Sequence, residues 1–163
     1  MTARYSEPEI EALIQEPKPL PKEWRARLRL KEKPGHRERD FDLEGSSGNE
    51  FRIILRQNRI NVLDFSVILG VRVPESNQIF RLLRYNGKSH EHTNRLEGET
   101  FYDFHIHRAT ERYQELGPRE DTYAKPTDRY GRLEEAFRCL MEDANLKAPP
   151  EPQGTLFGER LEL

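Results

Sequence analysis

The sequence predicts an α+β domain: an antiparallel meander sheet of about six strands, a short N-terminal helix, and a C-terminal helix covering one face of the sheet. Three observations carry this. Between Trp24 and Arg108 short runs alternate apolar and polar residues, the period of a half-buried strand. The turns between those runs are too short for the crossovers that parallel strands require. The final third changes to apolar spacings of three and four, the period of a helix face.

Ser6, Pro8 and Glu9 start the first helix. Ser6 can cap, Glu9 can return the bond three residues on, and proline suits a first turn. Ile10, Leu13 and Ile14 share its apolar face, and Pro17, Pro19 and Pro21 end it in an extended linker. Strands are predicted from Trp24 to Leu30, Arg37 to Leu43, Phe51 to Arg56, Leu63 to Val73, Ile79 to Tyr85 and Thr100 to Arg108. Gly45 to Asn49, Gln57 to Arg59, Pro74 to Asn77 and Asn86-Gly87 supply the turns. Asp128 can cap a helix running to about Asn145, with Leu133, Ala136, Phe137, Leu140 and Ala144 inward. This divides the chain into a helix and Pro-rich linker (1–22), one α+β domain (23–147), and a second Pro-rich linker with a tail (148–163).

A chain of 163 residues can bury a core without disulfides or metal. Its charged fraction, 34%, exceeds the usual ~25% and fits a heavily solvated surface. Net charge is −2, so overall charge does not point to nucleic acid. The distribution is uneven: residues 18–33 carry seven basic and two acidic side chains, residues 134–163 three and seven. The single cysteine, Cys139, allows no intrachain disulfide and suits a reducing compartment. With no long apolar run, the expectation is a cytoplasmic protein that does not cross a membrane.

Chemistry points to residues 84–108. His90, His92, His105 and His107 are four of the five histidines. Strand alternation places Asp103, His105 and His107 on one face, and Tyr102, Phe104 and Ile106 on the core face. A hairpin loop can return His90 and His92 to that strand. Arg52, Arg56 and Arg81 can gather on the solvent side as well. Histidine acts as acid or base near neutrality, and arginine grips phosphate. The leading expectation is therefore a nucleic-acid or phosphodiester protein, in the extreme a metal-independent endoribonuclease of toxin type. His105 and His107 would be the acid–base pair, with His90 or His92 as substitute. Arg84, Lys88 and Arg108 would hold phosphate, with RNA as partner and no cofactor. The alternative places zinc or another transition metal at His90, His92, His105 and His107. The structural alternative makes these histidines ordinary strand and loop residues bonded to backbone.

Three resemblances bear on this. Leu82-Leu83-Arg84, Gly87, His90, Thr93-Asn94, Gly98 and His105-x-His107 resemble small uncharacterised bacterial proteins found among prophage and toxin–antitoxin genes, over residues 79–113. The resemblance implies RNA or DNA handling. His90-x-His92 followed by Glu97 is similar to the first metal motif of cupins, but the glycine spacing before it differs and no second motif follows. Gln153, Leu156 and Phe157 resemble the peptide by which bacterial DNA-processing proteins dock on the replication sliding clamp. That gives a different class of function: a non-catalytic module binding a protein, such as an antitoxin or a replication factor, through the tail.

Overall fold

The capping box at Ser6 forms as its spacing requires: Glu9 N–H donates to Ser6 Oγ and Ser6 N–H to Glu9 Oε1, at 3.2 and 2.9 Å. It starts α1 (Glu7–Gln15), whose Ile10, Leu13 and Ile14 are buried. The computed structural model describes residues 4–116 and 119–150. After α1 come β1 (Lys18–Pro19), α2 (Trp24–Arg27), β2 (Lys31–Lys33), β3 (His36–Glu44), β4 (Glu50–Asn58), β5 (Phe65–Arg72) and β6 (Ile79–Asn86). Then follow β7 (His92–Asn94), β8 (Glu99–Phe101), β9 (His105–Arg108), α3 (Glu111–Leu116), β10 (Ala124–Pro126), α4 (Leu133–Asp143) and β11 (Leu146–Lys147). The α+β class and both flanking helices agree with the sequence reading.

The main sheet has seven strands in the order β10-β9-β6-β5-β4-β3-β2, every pair antiparallel. From β2 to β6 it is a meander. β7 and β8 then leave to form a separate hairpin before β9 returns beside β6. The two edges are β2, with Lys31, Glu32 and Lys33 all exposed, and β10, which ends in proline.

Three sequence expectations are corrected. Trp24 to Leu30 contains a helical turn, α2, not a strand: Trp24 and Leu28 are buried four residues apart and Ala26 is exposed. Alternation and helical spacing coincide at positions i and i+4, and packing chose the latter. Thr100 to Arg108 splits at Tyr102–Phe104 into β8 and β9, which belong to different sheets. Phe104 and Ile106 still pack on the core, but Tyr102 is 50% exposed. Asp128 does not cap α4. Arg132 is the cap residue, without a side-chain bond, and the helix ends at Asp143 before Asn145 at positive φ. The inward face of α4 is as expected, with Leu133, Ala136, Phe137, Leu140 and Ala144 buried, and Cys139 buried too.

The two sheet faces differ. On one, Ile53, Leu55, Val67, Leu69, Leu83 and Tyr85 form the core, covered by α1 and α4. The C-terminal ends of those helices are joined by a buried cation. Lys18 Nζ lies 2.8–3.0 Å from the carbonyls of Leu13, Ile14, Glu16 and Ala144, and its ring neighbour is Phe51 at 4.5 Å. Burial lowers the Lys18 ammonium to about 8, opposed by nearby Glu16; it stays protonated at neutral pH. β1 and β11, which flank this point, pair in parallel.

On the opposite face, register sets side chains in cross-strand rows. One row runs Asp40, Ile54, Ile68, Arg84, His107, Ala124. The next runs Glu38, Arg56, Ser66, Asn86, His105, Pro126.

Lys18→Met removes the donor for four buried carbonyls. We expect a loss of about 3 kcal/mol in urea unfolding at pH 7, since each stranded carbonyl costs ~1–3 kcal/mol and relaxation recovers part.

Candidate functional site

Period two explains why His105 and His107 lie on one face of β9, and their cross-strand partners on β6 are Asn86 and Arg84. The β7–β8 hairpin folds over them. Its anchor is Asn94, buried, whose side-chain amide pairs with the backbone of Ala124 in β10 like an extra residue of strand. Nδ2 donates to Ala124 O at 2.7 Å, and Oδ1 accepts from Ala124 N at 2.9 Å. Two residues earlier on the hairpin, His92 comes within 5.3 Å of the His105 ring and 4.9 Å of the His107 ring, centre to centre. Phe101 of β8 flanks His92 and His105.

The hydrogen-bond network fixes each ring's tautomer. His105 Nδ1 lies 2.7 Å from Asp103 O, and His107 Nδ1 2.8 Å from Asp121 O. A carbonyl only accepts, so both Nδ1 atoms carry the proton and both Nε2 atoms are bare. Asn86 faces them: Nδ2 is 3.4 Å from His105 Nε2 and 3.3 Å from His107 Nε2, while Oδ1 accepts from Ser66 Oγ at 2.8 Å. His92 Nε2 donates to Asn94 Oδ1 at 2.9 Å, which leaves Nδ1 as its lone-pair nitrogen. One nitrogen from each of His92, His105 and His107 lies within 4.8 Å of the others.

His105 and His107 are 0% and 3% exposed. Burial lowers His105 to about 4, helped by the neighbouring His92, His90 and Arg84 and opposed by the Asp103 carbonyl. Burial, then Arg84 and the other two rings, lowers His107 to about 2 against the pull of the Asp121 carbonyl. Both rings are therefore neutral at pH 7. An acid–base pair needs one imidazolium, so in such chemistry the acid would fall to His90 or His92. The neutral imidazoles of His105 and His107 are, in contrast, the form in which histidine ligates metal.

The other sequence candidates divide. His90 is exposed, 6.2 Å from the His105 ring, with Nδ1 3.0 Å from Ser89 Oγ. Arg84 shares the histidine face and pairs with the fully buried Asp121, Nε to Oδ2 3.4 Å; burial lowers its pKa and Asp121 raises it. Lys88 sits over the Tyr102 ring at 5.6 Å. Arg108 points to the other face, where it pairs with Glu7 and Glu11 of α1 at 3.1 and 3.0 Å. Glu97 is held by Tyr113 Oη at 2.6 Å and Arg112 at 2.8 Å, apart from the histidines. Gln153, Leu156 and Phe157 lie outside the described residues. Sequence reading missed Asn86, Asn94 and Asp121. Asn86 shares its strand phase with Arg84, a signal that was available, but Asn-Gly also reads as a turn.

No family model, curated protein or solved structure matches this chain. No helix among the described residues is long and apolar enough to cross a membrane.

The two buried rings make stability acid-sensitive. Unfolded, each takes a proton near pH 6.5; folded, only near pH 4 and pH 2. Their stabilising contribution is complete above pH 6.5 and lost as pH falls toward those lower values. In metal-free buffer we expect unfolding free energy to drop by about 2 kcal/mol per ring between pH 7 and pH 5. Replacing His107 with glutamine should remove one ring's share, as judged by denaturant titrations at both pH values.

Proposed function

We propose that this chain binds a divalent transition metal through His92, His105 and His107. The observation that carries the reading is the convergence of one ring nitrogen from each of the three histidines within 4.8 Å. Metal–imidazole bonds are ~2.0–2.1 Å, so nitrogens within 4.8 Å of one another must close toward ~3.3–3.4 Å to share a tetrahedral ion. His105 and His107 are already neutral, so neither has a proton to give up on binding an ion. Each strand imidazole is oriented by a backbone carbonyl on its far nitrogen, the outer contact usual for metal-bound histidine. Nitrogen ligands without carboxylate favour zinc, copper, nickel or cobalt over magnesium or calcium.

Titrating chelator-stripped protein with cobalt(II) and zinc(II) tests this. One ion per chain should bind, cobalt with visible ligand-field absorption. His92→Gln and His107→Gln should each weaken binding at least about tenfold. An unaltered chain that takes up no stoichiometric ion would end the reading.

A second reading, phosphodiester chemistry, is favoured by one observation: Arg84 lies on the histidine face directly across from His107. It requires His90 or His92 as the proton donor, His105 being held neutral. Incubation of mixed-sequence RNA with pure protein in excess EDTA separates the two. Cleavage abolished by His105→Ala and by either His90→Ala or His92→Ala would favour the second reading; intact RNA with the unaltered chain removes it.

A further inference from the structure

The contacts from Asn86 to the two rings, at 3.4 and 3.3 Å, are long for hydrogen bonds, which centre on ~2.9–3.0 Å. They match a different distance. Around a tetrahedral ion with ~2.0–2.1 Å bonds, neighbouring ligand atoms stand ~3.3–3.4 Å apart. The terminal atom of Asn86 therefore stands from both Nε2 atoms as one ligand stands from another. It is 7% exposed, on the strand adjoining the rings, and lies on the bare side of both.

We propose that Asn86 is the fourth ligand of the His92, His105 and His107 centre, giving its amide oxygen after a half-turn of the amide. The inference rests on the metal reading above. Without metal, the NH2 group faces two bare nitrogens, the correct polarity for donation. With a cation between the rings, those lone pairs are committed, and an NH2 pointing at the cation is repelled. The half-turn puts Oδ1 toward the cation and Nδ2 toward Ser66. Ser66 makes the turn inexpensive, because a hydroxyl that donates to Oδ1 in one orientation accepts from Nδ2 in the other. The carbonyl of Asn86 stays fixed throughout, since Tyr130 Oη lies 2.8 Å from it.

Three imidazoles and an amide oxygen close the coordination sphere. A closed sphere has no position for a reacting water, which is the mark of a structural site. The metal then clips His92 of the hairpin to β6 and β9 of the main sheet.

Zinc affinity of the full chain, measured against a chromophoric chelator, tests the assignment. Asn86→Leu should bind zinc at least about tenfold more weakly than the unaltered chain. Asn86→Asp keeps an oxygen in place and should bind at least as tightly as the unaltered chain. Thermal melts in chelator establish that each variant folds. Equal or tighter binding by Asn86→Leu would overturn the proposal, because the amide would then be a competitor for the nitrogens. Should Asn86→Leu not fold, Asn86→Asp decides, and weaker binding by it overturns the proposal. Zinc uptake that ignores Asn86 removes this ligand alone; no uptake by the unaltered chain removes the three-imidazole centre together with it.

Discussion

The buried ammonium of Lys18 decides where the helices go. Helices end in carbonyls with no partner inside the helix, and two such ends meet at one point here, those of α1 and α4. A single cation with no solvent contact satisfies both, and it is itself held by the β1–β11 pair. Both helices are thereby brought to the same side of the sheet, over β5 and β6. A cation next to carbonyl ends is also favourable to both helix dipoles. Neither α1 nor α4 covers the opposite side of the sheet, where the hairpin and the histidines lie.

That second face is covered economically. One asparagine side chain, Asn94, imitates a strand backbone and pins the hairpin to β10. The roof is aromatic and imidazole rather than aliphatic. Beneath it, every polar nitrogen of His105 and His107 has a contact: two backbone carbonyls on the outer side and one amide on the inner. The result is a buried polar cluster with no net charge at neutral pH, flanked by one arginine and one carboxylate, Arg84 and Asp121, that offset each other. Burial of this kind costs stability unless all members are satisfied, so the neutrality of the rings and the position of Asn86 belong to one solution.

Much of the fold was legible because β3 to β6 fall on runs that carry strand signals, most regularly in β4, and their turns are short. The α1 cap and the inward face of α4 were equally plain. The site was half legible: strand phase put His105 and His107 together, and proximity in sequence allowed a loop to return His92. Their burial was not legible. It depends on Asn94 meeting Ala124, thirty residues away, in β10, a strand of Ala124-Lys125-Pro126 with no alternation to announce it. The role of Arg108 was misjudged for a related reason. Its phase on β9 is opposite to that of the histidines, so it faces α1, and adjacency in sequence to His107 carries no weight across a strand. Trp24 to Leu30 misled because a four-residue repeat satisfies both strand and helix periods.

The two borders of the main sheet have a consequence for the molecule in a crowded solution. An exposed strand border is a row of free backbone donors and acceptors, an invitation for another chain to add itself. At β2 that invitation is met by alternating Lys31, Glu32 and Lys33, all in water. A like border from another copy would align equal charges or force them out of solvent. At β10 the strand is three residues long and its last residue, Pro126, has no N–H to offer. A seven-stranded sheet of this length is thus kept finite by its two shortest members, and copies of the protein are discouraged from stacking border to border into larger assemblies.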